Sequence, residues 1–160
     1  MRTNFCGELN IANLNEEVIL CGWVNRRRDH GGVIFLDLRD KKGLAQIVIN
    51  PETADTFKLA ETIRNEFVIK VTGKVLARDS EMINKKISTG EIEVLANQIE
   101  ILNASKPIPF QLDSMETSEE VRLKYRYLDL RRDEMQQRLR LRSKVTHFMR
   151  DFMDKNDFLD

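Results

Sequence analysis

Alternating apolar and polar residues divide the amino-terminal part of the chain into five predicted strands. The strands are rich in valine and isoleucine and span residues 17–28, 33–39, 43–50, 66–78 and 91–102. Between the third and fourth strands, residues 54–64 place apolar side chains at helical spacing. Five antiparallel strands with one helix in this position predict a mainly β, five-stranded barrel of the oligonucleotide/oligosaccharide-binding type, the OB-fold.

The same alternation predicts which side chains face outward on these strands. On the second strand it assigns Ile34, Leu36 and Leu38 to the core and turns Phe35 outward, and on the third strand it turns Gln46 outward. On the first strand, alternation separates the side chains into two sets but does not show which set faces the core. One side carries Val18, Leu20, Gly22, Val24, Arg26 and Arg28, and the other carries Ile19, Cys21, Trp23, Asn25 and Arg27.

An outward aromatic ring next to three consecutive arginines suggests a nucleic-acid base as ligand. Stacking of a base on such a ring contributes about 1–3 kcal/mol, and an OB-fold binds nucleic acid across its second and third strands. Each residue also has a plainer interpretation: Phe35 as an ordinary surface aromatic or as a side chain covered by a loop, and Gln46 and Glu93 as solvated strand residues. Gln46 can instead read a base edge, and Glu93 can accept hydrogen bonds from guanine. His30, beside Gly31 and Gly32, is most simply a turn residue.

The composition of the chain excludes several classes of binding site and of protein. The chain has 160 residues, 41% of them hydrophobic, and a net charge of zero, so only locally clustered basic residues can favour nucleic acid. Two cysteines fifteen residues apart and two histidines predict neither a zinc site nor a disulfide framework. The amino terminus has no apolar run of leader or membrane-span length, and we expect a cytoplasmic protein without membrane contact.

After the barrel, the prolines at 107 and 109 predict an extended connector. Thr117 or Ser118 is predicted to cap a short helix, and a longer helix is predicted from Asp133. That helix carries an apolar stripe, which is compatible with a protein interaction surface; the stripe comprises Leu141, Val145, Phe148 and Phe152.

Several segments together resemble the amino-terminal region of bacterial aspartyl-tRNA synthetases. They are CGWVNRRRD from Cys21 to Asp29, residues 35–40, residues 43–46, TGEIEV from Thr89 to Val94, and RYLDLRR from Arg126 to Arg132. The resemblance runs from Met1 to Asp160. It implies an anticodon-binding OB-fold in residues 1–105, a linker or hinge in 106–132, and the first helix of a class II catalytic domain in 133–160.

The resemblance also implies roles for individual residues. The residue matching Phe35 stacks on the middle anticodon base and that matching Gln46 reads the edge of this base. The residue matching Glu93 recognises the first base, while those matching Arg28 and Arg78 contact the anticodon strand. Independently of the resemblance, alternation lets at most two of the three arginines at 26–28 face the ligand, and phosphate contact is the role that we favour for Arg26. His30 followed by two glycines is similar to members that charge tRNA-Asn as well as tRNA-Asp, and Glu81 matches a second discriminating position.

For the full-length enzyme the resemblance implies an ATP- and Mg²⁺-dependent aspartate–tRNA ligase that forms an aspartyl-adenylate and assembles as a homodimer. Residues 1–160 contain none of the class II motifs that hold ATP, so we expect no catalytic residue, no metal site and no aminoacylation in this segment alone. The rival hypothesis is a self-contained OB-fold that binds single-stranded nucleic acid without reading its sequence.

Overall fold

Five strands close into a barrel in the computed structural model, which describes residues 1–114 and 116–159. They are β1 (Glu17–His30), β2 (Val33–Asp40), β3 (Gly43–Ile49), β4 (Val68–Ala77) and β5 (Ile92–Asn103). Around the barrel the order is β1-β2-β3-β5-β4, and β4 returns to pair with β1. The predicted OB-fold is therefore confirmed.

One pair of neighbouring strands departs from the all-antiparallel prediction. β3 and β5 run parallel, whereas the other four pairs are antiparallel. An odd number of strands cannot alternate in direction all the way around a closed ring, so one pair has to be parallel. Because β3 and β5 are neighbours in the barrel, the outward side chains of these two strands lie next to each other.

Helix α1 (Ala54–Thr62) connects β3 to β4, as its apolar spacing predicts. Ala60 is buried, and Phe57 and Leu59 pack against the barrel core. The helix ends two residues before the predicted end at Arg64, because Ile63 takes an extended backbone conformation and turns into the core. Burial of this one face accounts for a helix that is too short to be stable alone.

The barrel interior consists of alternate aliphatic residues from all five strands. Ile34, Leu36 and Leu38 of β2 are fully buried, as predicted. On β1 the undetermined core side is the one that carries Val18, Leu20 and Val24. Each such side chain contributes roughly 1.5–3 kcal/mol when it leaves water, so the interior fixes which strand faces point outward.

The predicted alternation along β1 is wrong beyond Val24. It placed Val24, Arg26 and Arg28 on one side, but the register between β1 and β2 shifts between Val24 and Arg26. This β-bulge adds one residue to β1 and reverses the side to which every later residue points. Val24 faces the core, whereas Arg26 and Arg28 point outward, to the same side of the sheet as Phe35.

Residues after the barrel form a second compact unit. The chain divides into Met1–Pro107 and Ile108–Asp160. The second unit contains α2 (Glu119–Lys124), α3 (Arg126–Asp129) and α4 (Asp133–Asp154). Ser118 occupies the predicted N-cap position of α2, but its side chain makes no capping hydrogen bond. The division into 1–105, 106–132 and 133–160 stays a prediction.

Helix α4 begins at Asp133, as predicted, and its apolar stripe is exposed in the second unit. The stripe is Leu141, Val145, Phe148 and Phe152. Among the residues that the structure describes, no helix combines the length and apolar content needed to cross a membrane.

Candidate nucleic-acid interface

Strand register lines up the predicted site residues on the outer face of the barrel. Arg28 of β1 lies opposite Phe35 of β2, and Gln46 of β3 lies opposite Asp37 of β2. Directly opposed residues point to the same side of a sheet, so these four side chains share one surface. We call it the outer face. It comprises these four residues, Arg26, which pairs with Asp37, and Glu93, which accepts from Gln46.

Phe35 supplies the aromatic ring of this face. The residues that flank it, Ile34 and Leu36, are fully buried, so Phe35 itself points away from the core and remains half-buried. The guanidinium carbon of Arg28 lies 5.9 Å from the ring centroid, within the range of a cation–π contact. The ring is therefore held by a neighbour that carries charge, and part of it stays open to a ligand.

Arg28 joins two other polar groups of the outer face. Its Nη2 donates to Asp37 Oδ1 at 2.6 Å and to Gln46 Oε1 at 3.2 Å. The Arg28 side chain is 44% exposed and that of Asp37 is 25% exposed, so water competes for both groups. A charge pair this open contributes at most about 1 kcal/mol to folding, and its bonds can be exchanged.

Gln46 is oriented by a neighbour on each side. Its Oε1 accepts from Arg28, and its Nε2 donates to Glu93 Oε2 at 3.0 Å across the parallel pair of β3 and β5. These two contacts define which end of the amide carries oxygen. A side-chain amide has two N–H donors and two lone pairs, so one of each remains for the edge of a base.

Arg78 is the first residue after β4, and its side chain lies next to that of Glu93. Its Nε donates to the carbonyl of Ile92 at 2.8 Å and lies 4.0 Å from Glu93 Oε2. The side chain is only 4% exposed, and its Nη2 is buried without a hydrogen-bond partner. Burial lowers the pKa of this guanidinium below its ordinary value, and the Glu93 and Asp37 carboxylates oppose that shift. A buried donor without a partner is rare in folded proteins, so Arg78 Nη2 is an uncompensated polar group beside the outer face.

The other predicted residues lie outside this set of contacts. Arg26 is exposed and pairs with Asp37 in the register, which puts it on the outer face. His30 ends β1 rather than lying in the turn; it is exposed and pairs with Val33. Glu81 lies in the short 3-10 turn Ser80–Met82 and is exposed, and no contact described in the structure joins it to the outer face.

Arg27, the middle residue of the arginine triplet, points to the other side of β1. Its Nε donates to the carbonyl of Ala60 on α1 at 3.3 Å, and its Nη2 lies 3.5 Å from Asp29. The triplet therefore divides into two outward arginines and one that contacts the helix, in line with the expectation that at most two face a ligand.

Sequence reasoning missed two features of the interface. Asp37 received no role, although the alternation that turns Phe35 outward also turns Asp37 outward, where it lies between Arg28 and Gln46. The second feature is the bulge at Asn25, whose side-chain amide accepts from Arg39 Nη1 at 2.5 Å. The extra residue becomes visible only in the observed pairing of β1 with β2, and the alternation of residues in the sequence does not signal it.

Comparison with known families supports a nucleic-acid-binding barrel. Residues 18–102 match the family model described as OB-fold nucleic acid binding domain. Residues 118–160 match the model described as tRNA synthetases class II (D, K and N). A curated relative from Ruthia magnifica, named aspartate–tRNA(Asp/Asn) ligase, is 68% identical over all 160 residues. The chain spans 27% of the length of that relative.

Solved structures repeat the fold at lower sequence identity. An aspartyl-tRNA synthetase from Entamoeba histolytica superposes with a TM-score of 0.86 at 23% identity, covering 95% of this chain and 37% of the other. An asparaginyl-tRNA synthetase from Pyrococcus horikoshii gives a TM-score of 0.83 at 24% identity, covering 96% and 34%. At such identities the likeness establishes the fold alone.

Proposed function

Since the chain belongs to the family of OB-fold nucleic acid binding domains and continues into a class II tRNA synthetase segment, we propose that its barrel binds the anticodon of tRNA-Asp. The parent protein is then an aspartate–tRNA ligase, in line with the name of the relative from Ruthia magnifica. The observation that carries the proposal is the contact between Gln46 and Glu93 beside the Phe35 ring. It combines a stacking surface with groups that can read base edges.

In this proposal each side chain has a separate task. The Phe35 ring stacks on the middle anticodon base, and Gln46 reads the edge of that base with its remaining donor and acceptor. Glu93 accepts hydrogen bonds from the first base, for which guanine supplies suitable N–H donors. The existing bond from Gln46 to Glu93 holds both groups in position before RNA arrives, which lowers the entropy lost on binding.

Arginines supply the contacts to the anticodon strand. Arg28 and Arg26 face outward and suit phosphate oxygens, which position RNA without reading it. Arg78 is covered by its surroundings, so its part is to hold the Glu93 carboxylate from within the barrel surface. A direct bond from its buried Nη2 to the anticodon strand would require the residues that cover it to move on binding. Three arginines against Asp37 and Glu93 leave the interface only weakly positive, so recognition depends more on stacking and base edges than on charge.

The same relative is named for both tRNA-Asp and tRNA-Asn, and we extend the proposal to both. Their anticodons differ only in the third base, so discrimination needs residues beyond those that read the first two. His30, at the exposed end of β1, and Glu81, in the 3-10 turn after β4, are the candidates. We expect His30→Leu to increase the preference for the aspartate anticodon, measured as the ratio of affinities for the two RNA hairpins.

Aspartate activation belongs to the rest of the parent protein in this proposal. ATP and Mg²⁺ form the aspartyl-adenylate there, and the enzyme acts as a homodimer in the cytoplasm. Within the part of the chain that the structure describes, no group of three or more His, Cys, Asp or Glu side chains is placed to hold a metal ion. We assign the activation step to the part of the parent protein outside residues 1–160 and expect no aminoacylation by this segment alone.

The test is affinity for RNA hairpins that differ only in the anticodon. We expect tighter binding to the aspartate anticodon than to a scrambled loop, and Glu93→Gln should reduce the preference for guanine at the first position. Glu100→Gln on the same strand is the matched control, because Glu100 is exposed and pairs with Lys70 away from the outer face. Equal affinity for both loops would favour the rival single-strand binder, which reads no bases.

A further inference from the structure

In the hairpin of β1 and β2, the paired segment of β1 is one residue longer than the paired segment of β2. Eight residues from Trp23 to His30 lie opposite seven residues from Val33 to Arg39. One end of the segment is fixed by the two-residue turn Gly31–Gly32, where φ is 62° and 80°. Consecutive positive φ angles are typical of the tight hairpin turn that matches strand twist. The extra residue must therefore be accommodated within the strand.

The position of the extra residue decides which arginines face outward. With the bulge at Asn25, Arg28 lies opposite Phe35. A regular β1 that kept Asn25 in the ladder would place Arg27 opposite Phe35 and turn Arg26 and Arg28 to the opposite side, because side chains alternate strictly. The bulge thus determines whether the outer face receives two arginines or one.

A partly buried polar cluster of Asn25, Arg39 and Glu66 holds the bulge in place. Arg39 Nη1 donates to Asn25 Oδ1 at 2.5 Å, and Arg39 Nη2 donates to both carboxylate oxygens of Glu66 at 2.9 Å. The backbone N–H of Glu66 donates to the carbonyl of Val24 at 2.7 Å. At the bulge, Asn25 is therefore held through its side chain by Arg39, and Val24 is held through its backbone carbonyl by Glu66.

Glu66 is suited to a structural task and not to contact with RNA. Its side chain is 5% exposed. Its φ of 65° lies in the left-handed region, which is unfavourable for a residue other than glycine, asparagine or aspartate. Strained backbone of this kind persists where the surrounding contacts require it.

We propose that Asn25, Arg39 and Glu66 are positioning residues for RNA recognition: they fix the β1 bulge so that Arg26 and Arg28 lie on the face of Phe35. This inference rests on the proposed function, because it assigns the cluster a part in RNA binding. Its structural half, the control of strand register, can be measured without RNA.

The first experiment compares Glu66→Gly with the parent chain. Glycine adopts a positive φ readily, so the change removes the carboxylate while relieving backbone strain. We expect the cross-strand NMR contacts between Arg28 and Phe35 to be lost. We also expect affinity for a hairpin with the aspartate anticodon to fall about tenfold, as for the loss of one charged hydrogen bond. Asn15→Gly, also at a positive φ, is the matched control and should change neither measurement.

The second experiment deletes Asn25. Without the extra residue, Val24 and Arg26 follow one another in a regular ladder and Arg28 still lies opposite Phe35. We expect deletion of Asn25 to retain the register, and the combination with Glu66→Gly to restore the affinity that Glu66→Gly loses. Rescue of this kind distinguishes a positioning role from general stabilisation, and the deletion remains informative if Glu66→Gly fails to fold.

The outcomes separate the two proposals. If Glu66→Gly keeps the contacts between Arg28 and Phe35, or if the deletion loses them, the positioning role is wrong. Loss of the register with unchanged RNA affinity also overturns it. A parent chain that binds the aspartate hairpin no better than a scrambled hairpin contradicts the proposed function instead, while the NMR measurement still decides whether the cluster sets the register.

Discussion

The barrel and the second unit each contain a cluster of arginines and carboxylates, but the two clusters are built differently. On the outer face, Arg28 shares its bonds between Asp37 and Gln46, and both charged side chains are partly exposed. In the second unit, the Asp129 carboxylate is fully buried. It accepts from three arginines, Arg122 at 2.9 Å, Arg126 at 2.6 Å and Arg132 at 3.4 Å.

The difference shows which cluster can exchange its partners. Breaking a bond of the exposed cluster costs little, because water or a ligand can replace it. Asp129 has no such replacement: burial raises its pKa, but the hydrogen bonds and charges of Arg122, Arg132 and Arg126 outweigh this and hold the pKa below its ordinary value. An exposed cluster suits recognition, whereas a saturated buried cluster suits the fixing of short helices.

Asp129→Asn is expected to have the largest effect of the substitutions considered. It removes the charge that three guanidinium groups share, and breaking a buried ion pair by removing one partner costs about 3–5 kcal/mol. We expect faster amide hydrogen exchange in α2 and α3, with RNA affinity of the barrel nearly unchanged. Asp133→Asn, at the exposed start of α4, is the matched control. Equal exchange rates in both variants would contradict the contrast between the clusters.

Acid should reveal the same contrast without mutation. Because the pKa of Asp129 is lower in the folded chain than in the unfolded chain, its contribution to stability is present above the ordinary carboxyl pKa of about 4. That contribution is lost as pH falls through the lower, folded-state pKa. We expect amide protection in α2 and α3 to decline in this range for the parent chain and to show less pH dependence in Asp129→Asn. The same decline in both would exclude Asp129 as its source.

Phe35→Ala tests the recognition side of the comparison. Loss of a stacking ring should weaken RNA binding by about 1–3 kcal/mol, while the thermal midpoint changes little because Phe35 lies outside the core. Fluorescence titration and thermal unfolding measure the two effects separately. Phe5→Ala is the control, because that ring also contacts a cation, Arg2 at 4.0 Å, but lies in the amino-terminal segment. A large fall in the thermal midpoint with unchanged RNA affinity would show that Phe35 stabilises the fold and does not bind RNA.

Alternation along the strands predicted the barrel and the outward positions of Phe35 and Gln46, because a buried strand face imposes a period of two. It failed at Asn25, where the controlling contact is the bond from Arg39 to Glu66, residues 27 positions apart in sequence. Such a contact has no periodic signature. The burial of Arg78 was missed for a related reason, since it depends on how the loop after β4 packs over β5.

The smallest expected effect concerns the salt dependence of RNA binding, and it uses adjacent arginines as a matched pair. Arg26 faces outward, whereas Arg27 contacts the carbonyl of Ala60 on α1. If Arg26 neutralises one phosphate of a single strand, Arg26→Gln should reduce the slope of log affinity against log salt by about 0.7, and Arg27→Gln should leave it unchanged. The reverse result would mean that Arg27 faces the RNA, as a regular β1 without the bulge would require. Titrations at several salt concentrations therefore test the orientation of the arginines independently of stability.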